Sequence, residues 1–408
     1  MKCRHCDAGL THTFVDLESS PPSNAYVSAK ALKKPEYWYP LKVMVCEECW
    51  LVQTEDFLGA KDLFKPEYAY FSSFSSSWLE HARNYVDEVM SRFKLNTKSI
   101  VVEVAANDGY LLQYFSVKGI SCYGIEPTHS TAEAARKKGI KIIEEFFTVA
   151  LAKELVVNRQ SADIIVANNV LAHVPNINDF VKAFTVLLKP NGVATFEFPH
   201  LMNLVKNNQF DTIYHEHYSY LSLQSVYNVF KANGLTIYDV DEIPTHGGSL
   251  RVYAQRSDRG QIKTRTSVKK ILDNEIEVGI NKIEFYHDFQ FKTEKVKNDF
   301  LLFLLDSKEK GLKVAAYGAA AKGNTLFNYA GIKKDLLPYV VDKNEAKQGK
   351  FMPGSRIPIV KIDCLYSHKP DYVLILPWNL REEITEELQF VREWGGKFVF
   401  AIPRLEII

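Results

Sequence analysis

"SIVVEVAANDGYLLQYF" (residues 99–115) reads as a buried strand, a glycine-containing turn and a helix. The apolar run is rich in β-branched residues and too short for a buried helix. A second strand, "ISCYGIEP" (residues 120–127), follows and ends on Glu126, 23 positions after Glu103. An acid at the carboxyl end of that second strand can accept both hydroxyl protons of an adenosine ribose. The turn Asn107-Asp108-Gly109 lets the backbone approach a ligand at the switch point of the sheet. NAD and S-adenosylmethionine both use this arrangement, and the turn separates them. A dinucleotide site wants G-x-G-x-x-G for its pyrophosphate, whereas "EVAANDGYL" keeps one of those glycines. Asp108 would repel a pyrophosphate but can help hold a methionine ammonium. Glu103, Asn107, Asp108, Gly109 and Glu126 are therefore read as contacts to S-adenosylmethionine.

The pattern continues outward in both directions. An aromatic–serine stretch, "FKPEYAYFSSFSSSW" (residues 64–78), leads into a helix over 79–93. Downstream come a helix carrying Ala132, Ala134 and Ala135, a third strand "IKIIEEF" and a fourth, "ADIIVANNVLAHV" (residues 162–174). A helix over 177–188 and a fifth strand, "GVATFEFP" (residues 192–199), complete the series. Strands alternating with helices predict a parallel sheet covered on both faces. Asn168 and Asn169 then fall at its carboxyl edge as further cofactor contacts, and the helix beginning at 177 places His173 beside the cofactor.

Residues 267–310 are charged and helical, with Ile276, Ile280, Ile283, Phe300 and Leu304 as apolar positions. A second α/β unit follows in "KVAAYGAAAKGNTLFNYAG", "LPYVVDKN", "DYVLILPW" and "GKFVFAIP". Its small-residue turn, with Gly318 and Lys322, either cradles a phosphate or packs strand against helix. "THGGSLRVY" (residues 245–253) faces its glycines to a diphosphate or makes a tight turn, with His246 as a contact.

Cys3-x-x-Cys6 and Cys46-x-x-Cys49 are separated by 39 residues. Each pair brings two thiolates to about 3.5–4 Å around one tetrahedral Zn²⁺. Four cysteines close the site, so its zinc is expected to be structural. Lys plus Arg number 50 against 49 Asp plus Glu, which argues against a nucleic-acid partner. No apolar run reaches the 18 or so residues that span a bilayer, and "MKCRHCDAGL" lacks the apolar centre of a secretory signal. The expectation is a soluble cytoplasmic protein.

"IYHEHYSYL" (residues 213–221) crowds titratable groups beyond the needs of a strand or helix face. Together with the two CxxC pairs, "YAYFSS", "EVAANDGYLLQ", "GIEP", "NNVLAHV", "HGGSLRVY" and "YGAAAKGNTL", it resembles the nucleotide-sugar C-methyltransferases, nearest the C-3-methyltransferases of deoxysugar biosynthesis. That resemblance implies a zinc-binding module (1–65), a class I methyltransferase domain (66–265), a helical connector (266–310) and a C-terminal Rossmann-like domain (311–408) that takes the nucleotide. It implies a 4-keto-6-deoxy sugar on dTDP, with GDP as the other candidate. It also implies Tyr70, His173, Tyr214, Glu216 and His217 as the active-site residues. "ESSPPSNAYV" is only loosely family-like. Forming a carbon–carbon bond at C3 requires an enolate, hence a base near neutral pKa and donors toward the enolate oxygen. His217 is preferred over His215 as base because it fills the matching place in Y-x-E-H. Glu216 either fixes its tautomer or binds substrate, and Tyr218 and Tyr220 are read as packing. The competing classes are a methyltransferase acting on RNA or protein and a non-catalytic S-adenosylmethionine sensor.

Overall fold

The computed structural model describes residues 1–64 and 71–408. Among the described residues, a seven-stranded sheet forms the centre. In spatial order its strands are Leu235–Ile243, Ser249–Arg256, Leu188–Pro199, Ala162–Asn168, Ile100–Val104, Ser121–Ile125 and Ile142–Ile143. Val101, Val102 and Val104 are buried on both faces of the sheet, each removing apolar surface worth about 1.5–3 kcal/mol from water. The glycine of the turn is required twice over. Gly109 sits at φ 74°, and a Cβ there would meet Ala135 at 3.2 Å. This tight fit seats helix His129–Lys137 against the turn.

The sheet is not wholly parallel as expected. Ser249–Arg256 runs antiparallel to both of its neighbours, Leu188–Pro199 and Leu235–Ile243. The reason is connection length: residues 244–248 make only a turn, and a turn can join antiparallel strands but not parallel ones. The third strand also shrinks to Ile142–Ile143.

The charged segment becomes three helices, Thr266–Val278, Glu284–His287 and Phe289–Glu309. Ile280, Phe300 and Leu304 are buried as expected, but Ile276 is 46% exposed. Glu275 displaces it. Its carboxylate turns inward, accepting the main-chain N–H groups of Leu223 (2.6 Å) and Gln224 (2.7 Å), with His200 Nε2 at 2.6 Å. An acid thus caps helix Leu223–Ala232 from another element. The next residue, about 100° further round the helix, faces out.

A second, six-stranded sheet runs Ile359–Val360, Val340–Val341, Val314–Tyr317, Tyr372–Ile375, Lys397–Phe400 and Glu406–Ile407, parallel except for its last strand. A third sheet has four strands, His12–Ser20, Tyr39–Val45, Val52–Thr54 and Ser219–Tyr220, with Cys46 and Cys49 on the turn between its second and third strands and Cys3 and Cys6 ahead of its first. Its last strand comes from the histidine-rich loop some 165 residues away and pairs antiparallel with Val52–Thr54 (Gln53 opposite Ser219). No helix among the described residues is long and apolar enough to cross a membrane.

Candidate active site

The turn Asn107-Asp108-Gly109 is held by hydrogen bonds from its own surroundings. Glu126 Oε2 accepts the Asn107 N–H (2.9 Å), and Oε1 accepts the Thr128 N–H (2.9 Å) and its hydroxyl. Asn107 Oδ1 and Asp108 Oδ2 in turn accept the N–H groups of Ser72 (2.9 Å) and Ser73 (3.2 Å), so the 71–75 segment lies over the turn. Burial pushes the carboxyls of Glu103 and Glu126 upward, Glu103 well above the usual range. Several polar atoms here are buried without a protein partner among the described residues: Glu103 Oε2, Asp108 Oδ1, both amide atoms of Asn168 and Asn169 Oδ1. Orphaned acceptors at the carboxyl edge of a sheet fit a ligand rich in hydroxyl and ammonium donors, as S-adenosylmethionine is.

The four cysteines converge as the spacing predicts. Cys3 and Cys49 sulfurs are 3.5 Å apart, as are those of Cys6 and Cys46, and all four lie within 4.8 Å of one another. Tetrahedral Zn–S bonds of about 2.3 Å require sulfurs at about 3.8 Å. The charge logic agrees. Hydrogen bonding from Cys49 pulls the Cys3 thiol down, while burial pushes Cys46 up and the hydrogen bond to Cys3, with burial, pushes Cys49 up. Four thiolates crowded this closely need a cation between them. Gln53 Nε2 donates to Cys3 Sγ at 3.2 Å as outer support.

His173, at the end of the turn Leu171–His173, meets His217 of the histidine-rich loop. Their ring centroids are 4.6 Å apart, and Tyr214 lies over His217 at 4.0 Å. His173 Nδ1 is 2.7 Å from the Glu216 carbonyl, and His217 Nδ1 is 2.7 Å from the Thr212 carbonyl. A carbonyl only accepts, so both Nδ1 atoms carry the proton and both Nε2 atoms carry the lone pair. Burial lowers His173 to about 4 and His217 well below its usual value, the neighbouring imidazole adding to the effect.

Glu216 does not fix the tautomer of His217, which is one of the two expected alternatives. The main chain does that, and the Glu216 carboxylate lies elsewhere: its Oε1 accepts both the main-chain N–H (3.3 Å) and the side-chain amide (3.1 Å) of Asn24. Its Oε2 has no partner among the described residues, and burial raises its pKa. Tyr70 lies outside the described residues. Tyr218 and Tyr220 are buried, the former donating to the Leu58 carbonyl at 2.9 Å.

The C-terminal unit contributes Lys322 at the start of helix Ala321–Tyr329. Its ammonium lies 4.3 Å from the Trp378 ring and 2.5 Å from Asn379 Oδ1, and burial lowers it to about 8. It acts on His217 and His246 by charge, lowering both. His246 sits at φ 54°, 3.3 Å from the Asn169 amide, with its pKa down to about 3 through burial. Two N–H groups of the small-residue turn are already committed: Gly318 to the Val341 carbonyl (2.8 Å) and Ala319 to the Asp342 carboxylate (2.7 Å). Gly318 itself, at φ 86°, is needed because a Cβ would come within 2.5 Å of the Pro377 ring. An anion would meet Lys322 and the opening turn of the helix rather than the glycine.

Two residues in contact with this cluster carry no motif. Asp211, 2% exposed, accepts Trp378 Nε1–H at 2.7 Å, and burial raises it to about 6. Asn24 belongs to the stretch that looked uninformative. A buried acid upstream of the histidine cluster was the one available signal for Asp211, and Asn24 had none.

Comparison with known proteins agrees along the length of the chain. Residues 3–64 match a zinc binding domain, residues 78–240 a methyltransferase domain and residues 244–403 a C-methyltransferase C-terminal domain. The C-methyltransferase NovU of Streptomyces niveus is 33% identical over 407 residues, spanning 100% of this chain and 96% of that protein. A ubiquinone biosynthesis O-methyltransferase of Bradyrhizobium diazoefficiens is 26% identical over 148 residues, 31% of this chain and 58% of that protein. Among solved structures, magnesium protoporphyrin IX methyltransferase from Synechocystis PCC 6803 with bound S-adenosylmethionine superposes with TM-score 0.37 and 14% identity, over 50% of this chain and 100% of that one. With identity sustained from the cysteine module to the last strands and all three domains in the same order, the chain belongs to the S-adenosylmethionine-dependent, zinc-binding C-methyltransferases.

Proposed function

We propose that the protein methylates C3 of a 4-keto-6-deoxy sugar carried on a nucleoside diphosphate, dTDP or GDP. The observation that carries this reading is the pair of neutral, Nδ1-anchored imidazoles beneath Tyr214. Burial keeps both rings unprotonated, below the near-neutral pKa expected of the base, and the main-chain carbonyls hold each Nδ1–H so that each Nε2 offers its lone pair to a carbon-bound proton next to a ketone. The motif resemblance supplies the sugar class.

In this reading His217 Nε2 takes the C3 proton. The resulting charge moves to the C4 oxygen, where Tyr214 or Tyr70 donates to it; His173, whose one N–H is held by the Glu216 carbonyl, can donate there only after taking up a proton. Lys322 and the first turn of its helix meet the diphosphate. Bound S-adenosylmethionine, held by Glu103, Asn107, Asp108, Gly109, Glu126, Asn168 and Asn169, supplies the electrophilic methyl group. The His217 imidazolium lies beside a second, neutral imidazole, so its proton has an outlet toward His173.

The test is direct. Purified enzyme with S-adenosylmethionine is offered dTDP- and GDP-linked 4-keto-6-deoxy sugars, and products are followed by mass and by NMR at C3. One added methyl on carbon is expected with one of them. Methyl transfer to none of these sugars would remove the proposal.

A further inference from the structure

Residues 20–36 leave the zinc module's sheet and run as a strap along the C-terminal unit. The attachments there are many. Asn324 Nδ2 donates to the Ser23 carbonyl (2.6 Å), and Tyr26 hydroxyl donates to the Ala319 carbonyl (2.6 Å), which Lys347 Nζ also reaches (2.9 Å). Val27 and Phe351 exchange main-chain hydrogen bonds at 2.9 and 2.8 Å. Glu36 accepts Arg356 Nε–H at 2.6 Å and the Gly354 N–H at 2.8 Å. Toward the histidine-rich loop the strap sends Asn24, whose two donors converge on one oxygen, Oε1 of Glu216.

That asymmetry has a chemical meaning. Glu216 is 1% exposed, and its second oxygen has no partner among the described residues. A buried carboxylate with neither oxygen satisfied would protonate and lose its preferred rotation. Two N–H donors on one oxygen oppose both, against a burial that still raises the carboxyl pKa. They hold the group as an acceptor and fix which oxygen remains for something else.

We propose that Asn24 is a positioning residue for methyl transfer: by clamping Oε1 of Glu216 it presents Oε2 to a hydroxyl or amino donor on the bound sugar. The strap thereby ties the catalytic loop to the unit that docks the nucleotide. This rests on the reading of Glu216 as a substrate-facing group in sugar C-methylation.

The experiment uses full-length, zinc-loaded enzyme and a keto nucleotide sugar on which wild type turns over. Asn24→Ala should lower kcat about tenfold or more, while S-adenosylmethionine affinity stays at the wild-type value. Asn24→Asp, of the same size, places a second carboxylate against Glu216. It should be as slow at pH 8 and recover as pH falls and the pair comes to share a proton. Tyr26, Tyr218 and Tyr220, the titratable groups facing Glu216, stay neutral phenols over that range because burial raises all three. Arg356→Ala, which removes one of the two donors to Glu36 at the far end of the strap, should leave kcat within about twofold of wild type.

Asn24→Ala with unchanged kcat, an equal loss in Arg356→Ala, or a pH-independent defect in Asn24→Asp would each overturn the assignment. Should Asn24→Ala fail to fold, the pH profile of Asn24→Asp decides. Wild type that methylates no keto sugar defeats the function proposed above, and this assignment with it. Wild-type turnover with unaffected variants defeats this assignment alone.

Discussion

His173 and His217 share a wall of the site with ring centroids 4.6 Å apart, and the peptide carbonyl that orients His173 belongs to Glu216, the residue just before His217. One short loop therefore sets both imidazoles. Moving it by an ångström would disturb both bases together.

If His217 is the base, His217→Asn should slow methyl transfer by about 10²–10⁴-fold while cofactor still binds. Proton removal can be separated from methylation by incubating enzyme and keto sugar in D₂O with S-adenosylhomocysteine. Wild type should exchange the C3 proton. Exchange at the wild-type rate in His217→Asn would move the assignment to His173, and the same assay on His173→Asn follows.

Acid should destabilise the fold through these same rings. The folded pKa of His173 is about 4, below its ordinary value of 6.5. As pH falls from 6.5 toward 4 the unfolded chain takes up a proton that the folded chain refuses, so stability drops across that window and is flat above it. From pH 7 to pH 5 the loss from this group is about 2 kcal/mol. Denaturant titrations at the two pH values should show it, and His173→Asn should show a smaller difference.

Zinc should be stoichiometric and structural. Elemental analysis is expected to give one ion per chain, and Cys46→Ser should lose solubility before chemistry. Metal binding here is folding free energy, on the order of 10 kcal/mol in small zinc modules. A well-folded chain carrying far less than one zinc would contradict the four-sulfur geometry.

Glu126→Ala should weaken S-adenosylmethionine binding by about 1.5–3 kcal/mol, the scale of a charged hydrogen-bond partner. The loss has two sources: a ribose acceptor, and the acceptor that holds the Asn107 N–H in the turn. Titration calorimetry with unchanged affinity would show that neither matters.

Glu275→Ala should cost about 2–4 kcal/mol in unfolding free energy, because it strips a helix N-terminus and a buried histidine of their acceptor at once. Glu275→Gln keeps one acceptor oxygen and should cost less. Equal losses for the two would mean that charge, not hydrogen bonding, does the capping.

Much of the architecture was legible in local patterns. The strand, turn and acid of residues 99–127 set the cofactor unit, because that geometry is written within one short segment. The cysteines likewise announced themselves by spacing. What local pattern could not convey was partnership through space. Asn24 and Glu216 lie 192 residues apart, and no periodicity marks either as the other's partner. Asp211 and Trp378 are 167 apart and equally silent. Adjacency in sequence left two readings of Glu216 open, and the geometry separates them: its carboxylate turns toward the strap while the main chain orients the His217 ring. Ile276 failed for a related reason, since an inward-facing acid overrode the apolar pattern.

The strand Ser219–Tyr220, which completes the sheet of the cysteine module, bears on how such enzymes can be recombined. A chimera cut at the apparent border near residue 65 would set a foreign strand edge against the histidine-rich loop, so swaps between relatives should exchange residues 1–64 together with Ser219–Tyr220 or exchange neither.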